Sequence, residues 1–196
     1  MENNFLLKEY ELCFEQLRYY DNRQTNLLKF LFTLTSAVAT AQFAVYKFLQ
    51  DPTQGFYICQ ALLGSIVFIS TLLLYLSMLQ NRLYFVYMAR QLNAIREYFL
   101  RIESPDFTKN QLYTSTDFPA LKASSVHTFQ LLGAAMISGI FFGVSIFGIK
   151  NANGDKITIV LALVISTIVV IAELLGGSIY LYIKGGKAAD SAIHVK

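Results

Sequence analysis

The placement of charge constrains this chain more than any other feature. No charged residue lies between Lys29 and Lys47, between Asp51 and Arg82, or between Lys122 and Lys150, and only Glu173 lies between Lys156 and Lys184. A helix needs roughly 20 apolar residues to cross the hydrocarbon layer of a membrane. All four gaps can supply them, the first by using the flanking Leu27 and Leu28 and the apolar stem of Lys47. Composition agrees: hydrophobic residues make up 55 % of the 196 and charged residues 15 %, against about 45–50 % and about 25 % in soluble domains. A soluble fold of this size could not hide that much apolar surface.

The expectation is an all-α, four-transmembrane-helix bundle with an N-terminal amphipathic helix and a second span extended into the cytoplasm. Its segments are an amphipathic helix at 1–24, spans at 27–49, 55–79, 124–149 and 157–183, an extension of span two at 80–103, a loop at 104–122 and a tail at 184–196. Spans one and two are joined by Gln50-Asp51-Pro52-Thr53-Gln54, and spans three and four by Asn151-Ala152-Asn153-Gly154-Asp155. Both are tight hairpins rich in turn formers. Of the sixteen Lys and Arg residues, the hairpins hold only Lys47, Lys150 and Lys156. Basic residues stay on the cytoplasmic side, so both termini and the long middle connection are expected there and the hairpins outside. The first 24 residues are too charged for a secretory signal.

Between residues 4 and 24, apolar Phe5, Leu6, Leu12, Cys13, Leu17 and Tyr20 recur at helical spacing among acids and bases. Such a helix either lies on the membrane surface or packs on a neighbour. From Gln80 onward span two meets no Gly or Pro before Pro105, which predicts one long helix. On its extension, Arg90, Asn93 and Glu97 share a stripe that reads as a polar seam, and Glu97 precedes Arg101 by one turn. Together with Arg82 and Arg96 these residues either contact a protein partner, a nucleotide or a lipid headgroup, or serve as a solvated basic flank. The Gly185-Gly186 pair is expected to end span four.

Within the membrane, Glu173 stands about eleven residues from Lys184, roughly 15 Å along a helix. It reads either as a pore-lining or proton-linked carboxyl, or as a protonated acid bonded to another helix. Ala135, Gly139 and Gly143 form a small-residue face for close helix packing, within one subunit or between subunits. Span one offers Thr33, Ala37 and Ala41 at the same spacing. His127, at the entrance of span three, is a headgroup contact or a pH-sensitive group.

No phosphate-cradling glycine loop, H-E-x-x-H or nucleophile elbow is present, and Cys13 and Cys59 offer neither metal spacing nor a disulfide across the membrane. No catalytic, cofactor-binding or metal-binding residue is expected, and no cofactor. The net charge of +3 gives no indication of nucleic-acid binding.

The stretch Glu15-Gln16-Leu17-Arg18-Tyr19-Tyr20-Asp21, a first span opening at Lys29-Phe30, and Ala89-Arg90-Gln91-Leu92-Asn93-Ala94-Ile95-Arg96-Glu97-Tyr98-Phe99 resemble the small membrane effectors of bacterial anti-phage systems. In style the chain is similar to SLATT and four-span effectors found beside nucleotide-signalling enzymes. In size it is similar to the membrane subunit of the Kiwa system and to the membrane accessory proteins of type VI CRISPR loci. The resemblance implies a homo-oligomer in the bacterial inner membrane that forms a pore or depolarises the cell when a cytoplasmic partner or signal activates it. A membrane sensor or anchor that recruits a cytoplasmic effector is the alternative, and a small ion channel or transporter the third. The chain lacks a recognisable sensor domain, so a separate cytoplasmic protein would do the sensing.

Overall fold

The computed structural model describes residues 2–49, 53–102, 113–155 and 157–187. It consists of four helices, α1 (Glu2–Leu49), α2 (Gln54–Ile102), α3 (Val126–Ala152) and α4 (Ile159–Lys187). All four are long and apolar enough to cross a membrane, and the chain is a multi-pass membrane protein. Residues 103–112 of the expected loop, 188–196 of the tail, and Gln50–Pro52 and Lys156 of the hairpins lie outside the described residues.

The charge pattern predicts an amphipathic helix separate from span one. The structure has a single helix of 48 residues there, because neither Gly nor Pro interrupts the chain from Glu2 to Leu49. The N-terminal arm packs on a neighbour and does not form a separate helix on a membrane surface. Its inner face runs Leu6, Tyr10, Cys13, Leu17, Tyr20, Gln24, Leu27 and Leu31, all buried or half-buried. That alternation of four and three is the seam of an antiparallel helix pair, and the partner is the extension of α2. Tyr20 stacks on Tyr84 with ring centroids 5.7 Å apart, and Asn81 donates to the Tyr20 carbonyl at 2.8 Å and to Gln24 Oε1 at 2.9 Å. At 1.5 Å per residue, α1 and α2 each measure roughly 70 Å, more than twice the roughly 30 Å of a bilayer core. The surplus forms a two-helix stalk at the end where α1 begins and α2 finishes, here termed the arm end. The hairpins mark the other end.

Helices α2 and α3 form the centre. Near the hairpin end their backbones touch. A Cβ on Gly64 would lie 2.8 Å from the Ser145 nitrogen, and one on Gly148 would lie 2.5 Å from the Ala61 nitrogen. Ser65 and Ser145 hydroxyls bond across this contact at 2.6 Å, and Phe68 packs on Phe142. In lipid there is little hydrophobic gain from bringing helices together, so such small-residue contacts and cross-helix hydrogen bonds hold the pair.

The face predicted from Ala135, Gly139 and Gly143 is buried within the chain, against α4. A Cβ on Gly139 would meet the Ser166 carbonyl at 2.8 Å, and one on Gly143 the Ala162 carbonyl at 3.0 Å. By contrast, Thr33, Ala37 and Ala41 of α1 face outward. The fourth apolar span runs to Gly185, and helix α4 continues to Lys187, one residue past the Gly185-Gly186 pair expected to end it. Gly185 is also the point where the loop residue Ala120 comes against the helix, a contact that a Cβ would block.

Gly148→Val is expected to lower the melting temperature of the detergent-solubilised protein by roughly 5 °C, the cost of overpacking a tight contact. Gly133→Val, where a Cβ meets nothing within 4 Å, should leave it unchanged within error; a thermal scan of the two variants distinguishes them.

Candidate functional site: an intramembrane carboxyl and an arm-end latch

Two polar constellations stand out, one within the apolar spans and one at the arm end. The first is built from three helices. Glu173 on α4 is half-buried, and its Oε1 accepts a hydrogen bond from the Ser138 hydroxyl of α3 at 2.7 Å. From α2, the Tyr75 hydroxyl donates to the Glu173 backbone carbonyl at 2.8 Å. The second carboxyl oxygen, Oε2, is buried and has no hydrogen-bond partner among the described residues. A carboxyl in the bilayer costs several kcal/mol unless its charge or its hydrogen bonds are met, and here only half of that requirement is satisfied within the chain. Beside it, between α2 and α4, runs an open groove of about 430 Å³ with Tyr75, Glu173, Gly176 and Tyr180 on its walls. The groove stays open where α4 carries Ala172 and Gly176, while the neighbouring Gly177 lets α4 close onto Tyr75 and Leu79 of α2.

The second constellation is centred on Arg82, which is only 2 % exposed. Its Nε donates to the Ala120 carbonyl at 3.0 Å, Nη2 to the Pro119 carbonyl at 3.4 Å, and Nη1 to His127 Nδ1 at 3.3 Å. The rings of Phe85 and Phe118 cover the guanidinium. Guanidinium can only donate, so Nδ1 must be the accepting nitrogen of His127, and the proton of the neutral ring sits on Nε2. From there it reaches Asp21 Oδ1 at 3.1 Å. Asp21 on α1, His127 on α3 and Arg82 on α2 thus form a chain that ties three helices and the loop together.

Farther along α2, Arg90 donates to the Phe118 carbonyl at 2.9 Å and Asn93 to the Ser115 carbonyl at 2.7 Å. The loop from Tyr113 to Ser125 has no helix or strand to satisfy its carbonyls, and buried backbone polar groups need partners. Arg82, Arg90 and Asn93 supply them. These three were candidates for partner or ligand contact, and the structure turns them inward to hold the loop. The expected Arg90–Asn93–Glu97 seam is therefore a seam between helix and loop at its first two members. Arg96 reaches the Tyr10 hydroxyl of α1 at 3.3 Å. Glu97 and Arg101 pair with each other on the exposed side of the stalk. His127 is buried beside Phe85, not set out among headgroups. What the sequence reading missed is the acceptor of the arginines, because carbonyl positions in a loop leave no pattern in residue types.

Cys13 faces the stalk seam, outside the apolar spans, and is 3 % exposed. Burial and the neighbouring Glu9 carboxylate push its thiol up to about 11.

No protein family, curated protein or solved structure matches this chain.

Two outcomes follow from the arm-end geometry. Arg82→Lys should free the loop, because one ammonium cannot reproduce a fork that serves two carbonyls and a ring nitrogen. Tryptic cleavage after Lys122, two residues beyond Ala120 in the loop, should rise about tenfold or more, as loss of one or two charge-assisted bonds implies; an unchanged rate would contradict the latch. The thiolate is the reactive form, and a pKa raised to about 11 leaves little of it at pH 8. Iodoacetamide should therefore label Cys13 on the order of a hundredfold more slowly than an unperturbed thiol. The rate should climb as pH approaches the raised value, read by mass spectrometry of the labelled peptide.

Proposed function

We propose that this chain is the subunit of a homo-oligomeric membrane effector that raises the ion permeability of a bacterial cytoplasmic membrane when a cytoplasmic partner or signal acts on its stalk. The carrying observation is Glu173. It is the single charge-bearing side chain in the four charge gaps, and one of its oxygens is left without a partner beside a groove on the flank of the bundle. A residue needed only to fasten helices would have both oxygens occupied. Ionisable groups kept in a membrane at such cost serve ion or proton pathways. The arm end faces the cytoplasm, in keeping with thirteen of the sixteen basic residues lying outside the hairpins. The anti-phage setting follows from the resemblance of residues 15–21 and 89–99 to defence effectors. No residue in this reading acts as a catalyst, and no nucleic acid is contacted.

A second reading, a sensor or anchor that recruits a cytoplasmic effector, is favoured by the stalk surface. Phe5, Leu12 and Tyr19 repeat every seven residues on one side of α1 and are 67 %, 45 % and 58 % exposed. Outside the apolar spans, such a stripe is a protein-docking surface.

Membrane potential separates the two. In cells carrying the protein and its neighbouring genes, a voltage-sensitive dye should report depolarisation before lysis during phage infection, and Glu173→Leu should abolish it. An intact potential, with protection that still requires the protein and is lost on Leu12→Glu, would replace the pore reading with the anchor reading.

A further inference from the structure

The groove between α2 and α4 is built for an organic ligand of one charge type. Its α2 wall is apolar along Leu72, Leu76 and Leu79 and ends at Gln80, and it is flanked by the rings of Tyr75 from α2 and Tyr180 from α4. The only ionisable carboxyl in it is Glu173, whose Oε2 is buried and unpartnered. No basic side chain among the described residues pairs with Glu173. Nor can a second copy of the chain supply one, since the spans contain no Lys or Arg at that depth. A small hard cation is a poor fit, because such ions seek six or more oxygen ligands or keep their water, and the groove offers one free carboxyl oxygen, two phenols and the Gln80 carboxamide oxygen. A cation with its charge spread beneath an apolar shell has little hydration to lose, packs on leucine, and is attracted to aromatic faces. Such a molecule partitions into the bilayer and meets the groove from the side.

We propose that the α2–α4 groove is a binding site for a lipophilic organic cation, with Glu173 as its counter-charge and Tyr75 and Tyr180 as the aromatic walls. Gly176 is the entrance. It is exposed, and a Cβ placed there meets nothing within 4 Å, so a side chain at this position would fill the groove without disturbing the helices. The site is independent of whether the assembly conducts ions.

The test is equilibrium dialysis of labelled tetraphenylphosphonium against the full chain in phosphatidylcholine nanodiscs, with empty nanodiscs as background and tetraphenylborate as the anion of the same shape. The expected result is saturable uptake of the phosphonium, falling at least tenfold in Glu173→Gln and at least fivefold in Gly176→Leu, with no saturable uptake of the borate. Gly176→Leu keeps the carboxyl and decides the matter if Glu173→Gln does not assemble. Phosphonium uptake no greater than in empty nanodiscs would overturn the proposal. So would full uptake by either assembled variant, or borate saturating the same site.

Discussion

The approach of α2 to α3 is the contact on which the rest of the molecule depends. Lipid offers helices almost no reason to associate beyond packing and hydrogen bonding, so the pair must be held by fit. Gly64 and Gly148 remove the side chains that would keep the two backbones apart, and Ser65 and Ser145 bond across the junction. Once that pair is set, α1 joins along α2 and α4 along α3. The outer helices make few demands of each other, which leaves the flank between α2 and α4 open.

Polar groups do at the arm end what glycines do at the hairpin end. Asn81 and Gln24 meet inside the α1–α2 seam, and a buried polar pair in an apolar seam selects one register. Arg82 collects the loop, α3 and, through His127, α1. The loop then reaches α4 through Ala120, which sits against Gly185, and α2 reaches it directly, the Tyr87 hydroxyl donating to the Lys184 carbonyl at 2.8 Å. Glu173 lies about three turns from Gly185 on the same rigid helix. The stalk and the intramembrane carboxyl are therefore joined by contiguous contacts.

Much of this architecture is legible in residue types. The spans follow from where charge is missing, the long second helix from the lack of breakers, and the packing role of Ala135, Gly139 and Gly143 from their spacing. The isolation of Glu173 is equally plain in the sequence. Other features were not legible. Whether the small-residue face of α3 met its own chain or another depended on α4 lying beside it, with Ala162 and Ser166 at the right height. Arg82, Arg90 and Asn93 look like a surface for partners because side-chain type says nothing about where the carbonyls of a following loop will run.

The sequence by itself determined that the chain crosses a membrane through four helices, since a residue's transfer cost from water to lipid is a local property that needs no neighbours. It determined also that one carboxyl must be accommodated inside. Only the tertiary structure decided what that carboxyl meets: Ser138 on one oxygen, no hydrogen-bond partner among the described residues on the other, and a groove beside Gly176. It alone decided that three of the predicted contact residues bind a loop. Hydrogen bonds and close contacts depend on distances of a few ångströms between residues far apart in the chain, and those distances exist only once the helices have packed.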